Sequence, residues 1–217
     1  MNQIEATTQL PGGAISIYDR FTNLYDLMFR FNRYGRSIER YLRENPLPLP
    51  TDARVLDAGC GTGLLTLALL RVLKRPARVT AFDLSRRSLL TARRAARKAK
   101  AAPRHRISFL QANALALPFA DESFDFVVTS GVLEYLPLDE GMGELARVLK
   151  PGGYFFHLPV RPSPATTMLE IMFRFKGHPP ADITRHTERH FAVIEHHHFS
   201  PLEPIGWTKT AYLAQKP

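Results

Sequence analysis

A chain of 217 residues is long enough for one domain with an added segment, and its 45% hydrophobic and 23% charged residues exclude a disordered or fibrous protein. The single cysteine, Cys60, excludes an intramolecular disulfide. A formal charge of +9 favours an anionic partner without choosing among nucleic acid, lipid surface and acidic small molecule.

Met1 to Gly13 is polar and lacks the basic start and apolar run of a signal peptide, and no run of about 18 apolar residues occurs anywhere; a cytoplasmic protein is expected. Leu24, Leu27, Met28, Phe31, Ile38, Tyr41 and Leu42 then recur at helical spacing, with Arg30, Arg33, Arg36, Arg40 and Arg43 among or opposite them. This reads as an amphipathic helical cap. The prolines between Asn45 and Pro50 lack donors and restrict the residues before them, so that stretch is a stiff connector. Residues 1–50 are thus cap and connector, and 51–217 the main body of a single domain.

From Val55 onward, short β-rich runs alternate with helical ones, the pattern of a parallel sheet covered on both faces. Strands are expected near Val55–Asp57, Arg78–Asp83, Ile107–Gln111, Phe124–Thr129 and Tyr154–Leu158. Between them, Leu64–Leu73 reads as a buried helix, Ser85–Lys100 as a helix with an N-cap at Ser85 and a stripe of Leu89, Ala92, Ala96 and Ala99, and Leu138–Leu149 as a third. Phe191–Phe199 and Thr208–Ala214 close the chain as an antiparallel pair with no helix between them.

The segment from Val55 to Gly63 leaves an apolar strand and opens a helix. Gly59, Gly61 and Gly63 remove side chains where a ligand must approach the backbone, and the helix start near Thr62 offers unpaired N–H groups. The third glycine arrives one residue early for a dinucleotide fingerprint, and no Lys-Ser or Lys-Thr pair ends the run as in a phosphate loop. Asp57 would repel a phosphate and welcome an ammonium or sulfonium. Asp83, at the tip of the next strand, has two oxygens that can accept from both hydroxyls of a ribose. Together these residues suit an adenosine without phosphates, as in S-adenosyl-L-methionine.

Five segments in order, Val55 to Gly63, Asp83-Leu84-Ser85, Gln111 to Phe119, Ser123 to Val128 and Leu149 to Gly153, resemble the class I S-adenosylmethionine-dependent methyltransferases. Within these, the resemblance is to the group that includes the ubiquinone and menaquinone C-methyltransferases, and it covers about Tyr18 to Gly153. It implies an α/β, Rossmann-like, doubly wound, mostly parallel seven-stranded sheet with an antiparallel C-terminal strand and an N-terminal helical cap. It also implies that Asp57 and the backbone of Gly59, Cys60, Gly61 and Gly63 hold the methionine part, Asp83 the ribose and Leu84 one adenine face. Asn113, where relatives often have aspartate, and Ala114 would border the adenine amino group, and Ser130 and Gly131 would line the space beside the methyl. Tyr18-Asp19 and Tyr25-Asp26 resemble pairs that close over the cofactor.

A sulfonium methyl is already electrophilic, so alignment in a dry pocket is the main task and no fixed catalytic residue is required. Glu134, Tyr135 and His157 are the candidate bases if the acceptor must lose a proton. The histidines at 178, 186, 190 and 196–198 lack an acid or cysteine at ligand spacing, so no metal is expected. The cations from Arg86 to Arg106 read as the solvated face of a helix, which makes nucleic acid an unfavoured partner. The cap and Met168–Lys176 mix large apolar residues with cations, as at a membrane surface, so a small lipophilic acceptor, lipid or quinone-like, is preferred. The alternatives are an RNA methyltransferase using the basic surface and a non-catalytic S-adenosylmethionine-binding subunit.

Overall fold

The computed structural model describes residues 34–99 and 104–217, so Tyr18, Tyr25 and the part of the expected cap before Tyr34 lie outside the described residues. Its strands are β1 (Ala53–Ala58), β2 (Ala77–Asp83), β3 (Arg106–Gln111), β4 (Phe124–Ser130), β5 (Leu149–Leu158), β6 (Ala192–His198) and β7 (Thr210–Gln215). Its α-helices are α1 (Tyr34–Glu44), α2 (Leu64–Val72), α3 (Arg86–Lys98), α4 (Leu138–Val148), α5 (Pro164–Phe173) and α6 (Pro180–His190). Short 3-10 turns occupy Leu133–Tyr135 and Pro204–Trp207.

The strands form one sheet in the order β3-β2-β1-β4-β5-β7-β6. Every pairing is parallel except the two made by β7, which lies between β5 and β6. The central strands are covered on both faces, which is why β1 and β4 read as nearly unbroken apolar runs. On one face, Ile38, Tyr41 and Leu42 of α1 and Leu65, Leu69 and Leu70 of α2 pack with Val55, Val79, Phe126 and Phe156. On the other, Met142 and Leu145 of α4 and Ile183 of α6 pack with Leu56, Val127 and Phe155. The chain runs outward from β1 to β3 and then returns to β4 on the far side of β1. Loops therefore part above the carboxyl ends of β1 and β4, where ligands enter such sheets.

The expected N-cap is present: the Ser85 hydroxyl accepts from the Ser88 amide at 3.1 Å, a contact worth about 1 kcal/mol. Arg86, Arg87, Arg93, Arg94, Arg97 and Lys98 are exposed around a buried stripe of Leu89, Ala92 and Ala96, the solvated face read from the sequence, whereas Ala99 of the expected stripe is exposed and Arg106 of the expected basic face belongs to β3. Three further expectations need correction. The helix at Leu64 is not buried all round, since Leu64, Leu67 and Val72 are only partly covered and Arg71 is exposed. Strand β5 begins at Leu149, five residues early, because the Lys150 to Gly153 turn is drawn into pairing with the C-terminus: Gly152 N–H donates to Lys216 O at 2.8 Å and Lys216 N–H to Gly153 O at 2.9 Å. Helix α6 was not expected. It buries only Ile183 and Thr187, too little apolar surface to print a stripe.

Candidate active site

The loop after β1 is stitched to the tip of β2. Cys60 N–H donates to Phe82 O at 2.8 Å, Gly61 N–H to Asp83 Oδ2 at 2.8 Å, and Ser85 N–H to Asp83 Oδ1 at 2.8 Å. Asp83 is therefore held in a fixed orientation beside the glycine turn. Cys60 is buried against Ala81 and Leu89, and burial pushes its thiol well up, with the Asp57 and Asp83 charges adding to the rise.

Asp57 is fully buried. Its Oδ2 accepts from the Thr66 hydroxyl at 2.5 Å, whereas its Oδ1 meets no partner among the described residues. Burial pushes this carboxyl up to about 7; the Thr66 hydrogen bond opposes the rise and the Asp83 charge adds to it. A buried carboxylate with an orphaned oxygen costs stability on its own and is the natural counterpart of a cation.

The packing of the chain itself also bears on two of the glycines. Gly59, at φ +69°, has no open space beside it, because a Cβ there would lie 2.6 Å from Val132 Cβ and Cγ2. At Gly63, φ +89°, a Cβ would lie 3.0 Å from Ala92 Cβ. Close packing of the chain's own Val132 and α3, together with left-handed backbone, demands glycine at both positions.

Leu84 is half-buried and its carbonyl accepts from Gln111 Nε2 at 2.9 Å. Asn113 turns its Oδ1 back to the Leu115 amide at 3.0 Å, so that acceptor serves the turn first. Ala114 is buried with Leu56, Phe82 and Leu117. The remaining expected residue, Ser130, accepts from the Tyr34 hydroxyl at 2.5 Å, which joins α1 to the carboxyl end of β4. Burial raises the Tyr34 phenol, the Ser130 bond opposes this, and the charges of both Asp57 and Glu134 add. Tyr34 thus stands within electrostatic reach of both carboxylates.

Beyond β4, Glu134 Oε1 accepts from Val160 N–H at 2.7 Å and lies 3.8 Å from the Lys209 ammonium. His157 is buried and burial lowers it to about 4, with neither ring nitrogen partnered among the described residues. Tyr135 packs its ring 5.6 Å from Phe175, and burial raises its phenol. Sequence reading missed Tyr34 and Lys209. Tyr34 carried a signal, four residues before Ile38 on the same stripe; Lys209 carried none.

An open, mostly parallel sheet with a glycine turn after β1 and carboxylates at the tips of β1 and β2 is a Rossmann-like methyltransferase fold. Residues 56–157 match the family model described as a methyltransferase domain. It is 36% identical over 162 residues to the demethylmenaquinone methyltransferase of Thermobifida fusca, covering 70% of this chain and 65% of that one. It is 31% identical to the 2-phytyl-1,4-naphtoquinone methyltransferase of Thermosynechococcus vestitus, covering 64% and 60%. The chain thus spans less than two thirds of the length of either relative. The fold is shared with the geranyl diphosphate C-methyltransferase of Streptomyces coelicolor at a TM-score of 0.65, with 17% identity and coverage of 83% of this chain and 76% of that one.

Proposed function

We propose that the chain binds S-adenosylmethionine and methylates a small lipophilic acceptor of the quinol type. The observation that carries the first half is Asp57, a buried carboxylate with an orphaned oxygen where a phosphate would be repelled. Asp57 and the backbone from Gly59 to Gly63, Cys60 included, would hold the methionine part, Asp83 the ribose, Leu84, Asn113 and Ala114 the adenine, and Ser130 the space beside the reactive end. Tyr18 would close over it. When bound, the cofactor supplies an electrophilic methyl group.

The acceptor class rests on the two quinone-directed relatives and on the outer surface. Ile171 and Met168 of α5 are 77% and 50% exposed, and Leu202 and Trp207 are 93% and 53% exposed. The two segments are joined by a hydrogen bond from Ser163 Oγ to Trp207 O at 2.5 Å. Arg174 and Lys176, both exposed, flank this apolar surface, an arrangement suited to peripheral contact with an anionic membrane. Among the described residues, no helix is long and apolar enough to cross a membrane.

Adenosylhomocysteine at about 100 times its dissociation constant is expected to stabilise the protein by about 2.7 kcal/mol, seen as a higher melting temperature, while NAD leaves it unchanged. Asp83→Ala should remove most of that shift, and a full shift in the variant would place the ribose elsewhere. In a cell extract given methyl-labelled cofactor, label is expected in the organic phase. Label in nucleic acid would sink the lipophilic acceptor, and no turnover with intact cofactor binding would indicate a non-catalytic subunit.

A further inference from the structure

Glu134, His157 and Lys209 form a buried polar cluster at the carboxyl ends of β4 and β5. Lys209 is 2% exposed, His157 1% and Glu134 8%. Their hydrogen bonding is incomplete: Glu134 Oε2 and both nitrogens of His157 lack partners among the described residues. Lys209 Nζ donates to Leu158 O at 3.2 Å, but at 3.8 Å its contact with Glu134 Oε1 is longer than a hydrogen bond. A purely structural ion pair is expected to close such contacts, because each buried polar atom left unpaired is costly.

The cluster adjoins the cofactor end of the fold. Lys209 Nζ and the Ser130 hydroxyl converge on the same carbonyl, Leu158 O, at 3.2 and 3.5 Å, and Ser130 in turn is bonded to Tyr34. Glu134 follows Val132, whose side chain is pressed against Gly59 of the glycine turn. Burial lowers both His157 and Lys209, so the imidazole is neutral at pH 7, with one donor and one acceptor.

We propose that Glu134, Lys209 and His157 form the subsite for a hydroxyl group of the acceptor. The acceptor O–H donates to Glu134 Oε2, and its oxygen receives hydrogen bonds from Lys209 and His157. The proton passes to the Glu134 carboxylate and the O–H electron pair stays on the acceptor oxygen, now an anion facing Lys209 Nζ. A hydroxyl activated in this way is what makes a quinol nucleophilic, so the assignment rests on the methyltransferase reading above.

The test titrates the full chain, saturated with adenosylhomocysteine, with 1-naphthol and with 1-methoxynaphthalene, which lacks the hydroxyl proton, following ligand fluorescence. The wild type is expected to prefer 1-naphthol at least tenfold and to show the absorption band of naphtholate at a pH where the free ligand is neutral. Glu134→Gln and Lys209→Met should each erase the preference while the melting shift with adenosylhomocysteine persists. Equal affinity of the two ligands for the wild type overturns the subsite, a result that needs no variant to fold. A preference that survives in both variants overturns it as well. If the preference is present but adenosylhomocysteine gives no melting shift, the cofactor assignment fails and the hydroxyl subsite stands.

Discussion

Asp57→Asn is expected to stabilise the ligand-free protein at pH 8 and to abolish its response to adenosylhomocysteine. Burial holds this carboxyl up at about 7, against an ordinary value of 3.8. The folded state therefore binds the proton more tightly than the unfolded chain does. The resulting loss of stability builds as pH rises from about 4 toward 7 and is complete above 7, on the order of a few kcal/mol before the cost of burying the new amide is subtracted. An asparagine keeps the shape and still accepts from the Thr66 hydroxyl, but it has no charge to bury. Binding moves the opposite way: a cationic ligand group requires the ionised carboxylate, so wild-type affinity should climb up to tenfold per pH unit below 7 and level off above it. The variant should lose affinity by at least a hundredfold. Melting curves of both proteins at pH 5 and pH 8, with and without adenosylhomocysteine, check both halves, since the difference between the two proteins isolates this one group. A variant that melts lower at both pH values and keeps its ligand shift would remove Asp57 from the site.

Asp57 and Asp83 stand out in the sequence, and the structure shows Asp57 fully buried and Asp83 held by the Gly61 and Ser85 amides. A carboxylate at the last turns of an apolar strand conflicts with its surroundings, and such conflicts mark function. The central strands were equally legible, because burial on both faces leaves runs such as Phe124–Ser130 with little polar content. Tertiary placement was not. A lysine in a terminal strand reads as solvent-facing, and nothing local shows that Lys209 folds inward against Leu158 and Glu134. The bond between Tyr34 and Ser130 joins positions 96 residues apart, which no local pattern encodes. Helix α6 failed to register because charged and polar residues cover most of its surface, and it is held by a few contacts with α4, including the Asp139 carboxylate against His186 and Arg189.

The glycine turn shows the same division, since sequence reveals that a glycine is present but not what requires it, and substitution can tell the causes apart. Gly59→Ala meets two penalties. Left-handed backbone at φ +69° costs a non-glycine residue about 1–2 kcal/mol, and the new methyl would sit 2.6 Å from Val132 Cβ, closer than such atoms approach. Gly152→Ala meets only the first, having φ +71° and nothing within 4 Å of the new methyl. The expected loss at position 59 is therefore more than about 3 kcal/mol, a fall in melting temperature of roughly 10 °C for a chain of this size, against about a third of that at position 152. Val132→Ala should not rescue Gly59→Ala, because Val132 Cβ is itself the clashing atom; Val132→Gly should recover the difference and leave only the backbone cost. Equal losses at 59 and 152 would show that the turn yields to the methyl, and the cradle would then owe its glycine to conformation alone. Because Val132 lies two residues before Glu134, movement at this contact would also be felt where the acceptor hydroxyl is placed, so the Gly59 variant is expected to weaken 1-naphthol binding along with the cofactor response.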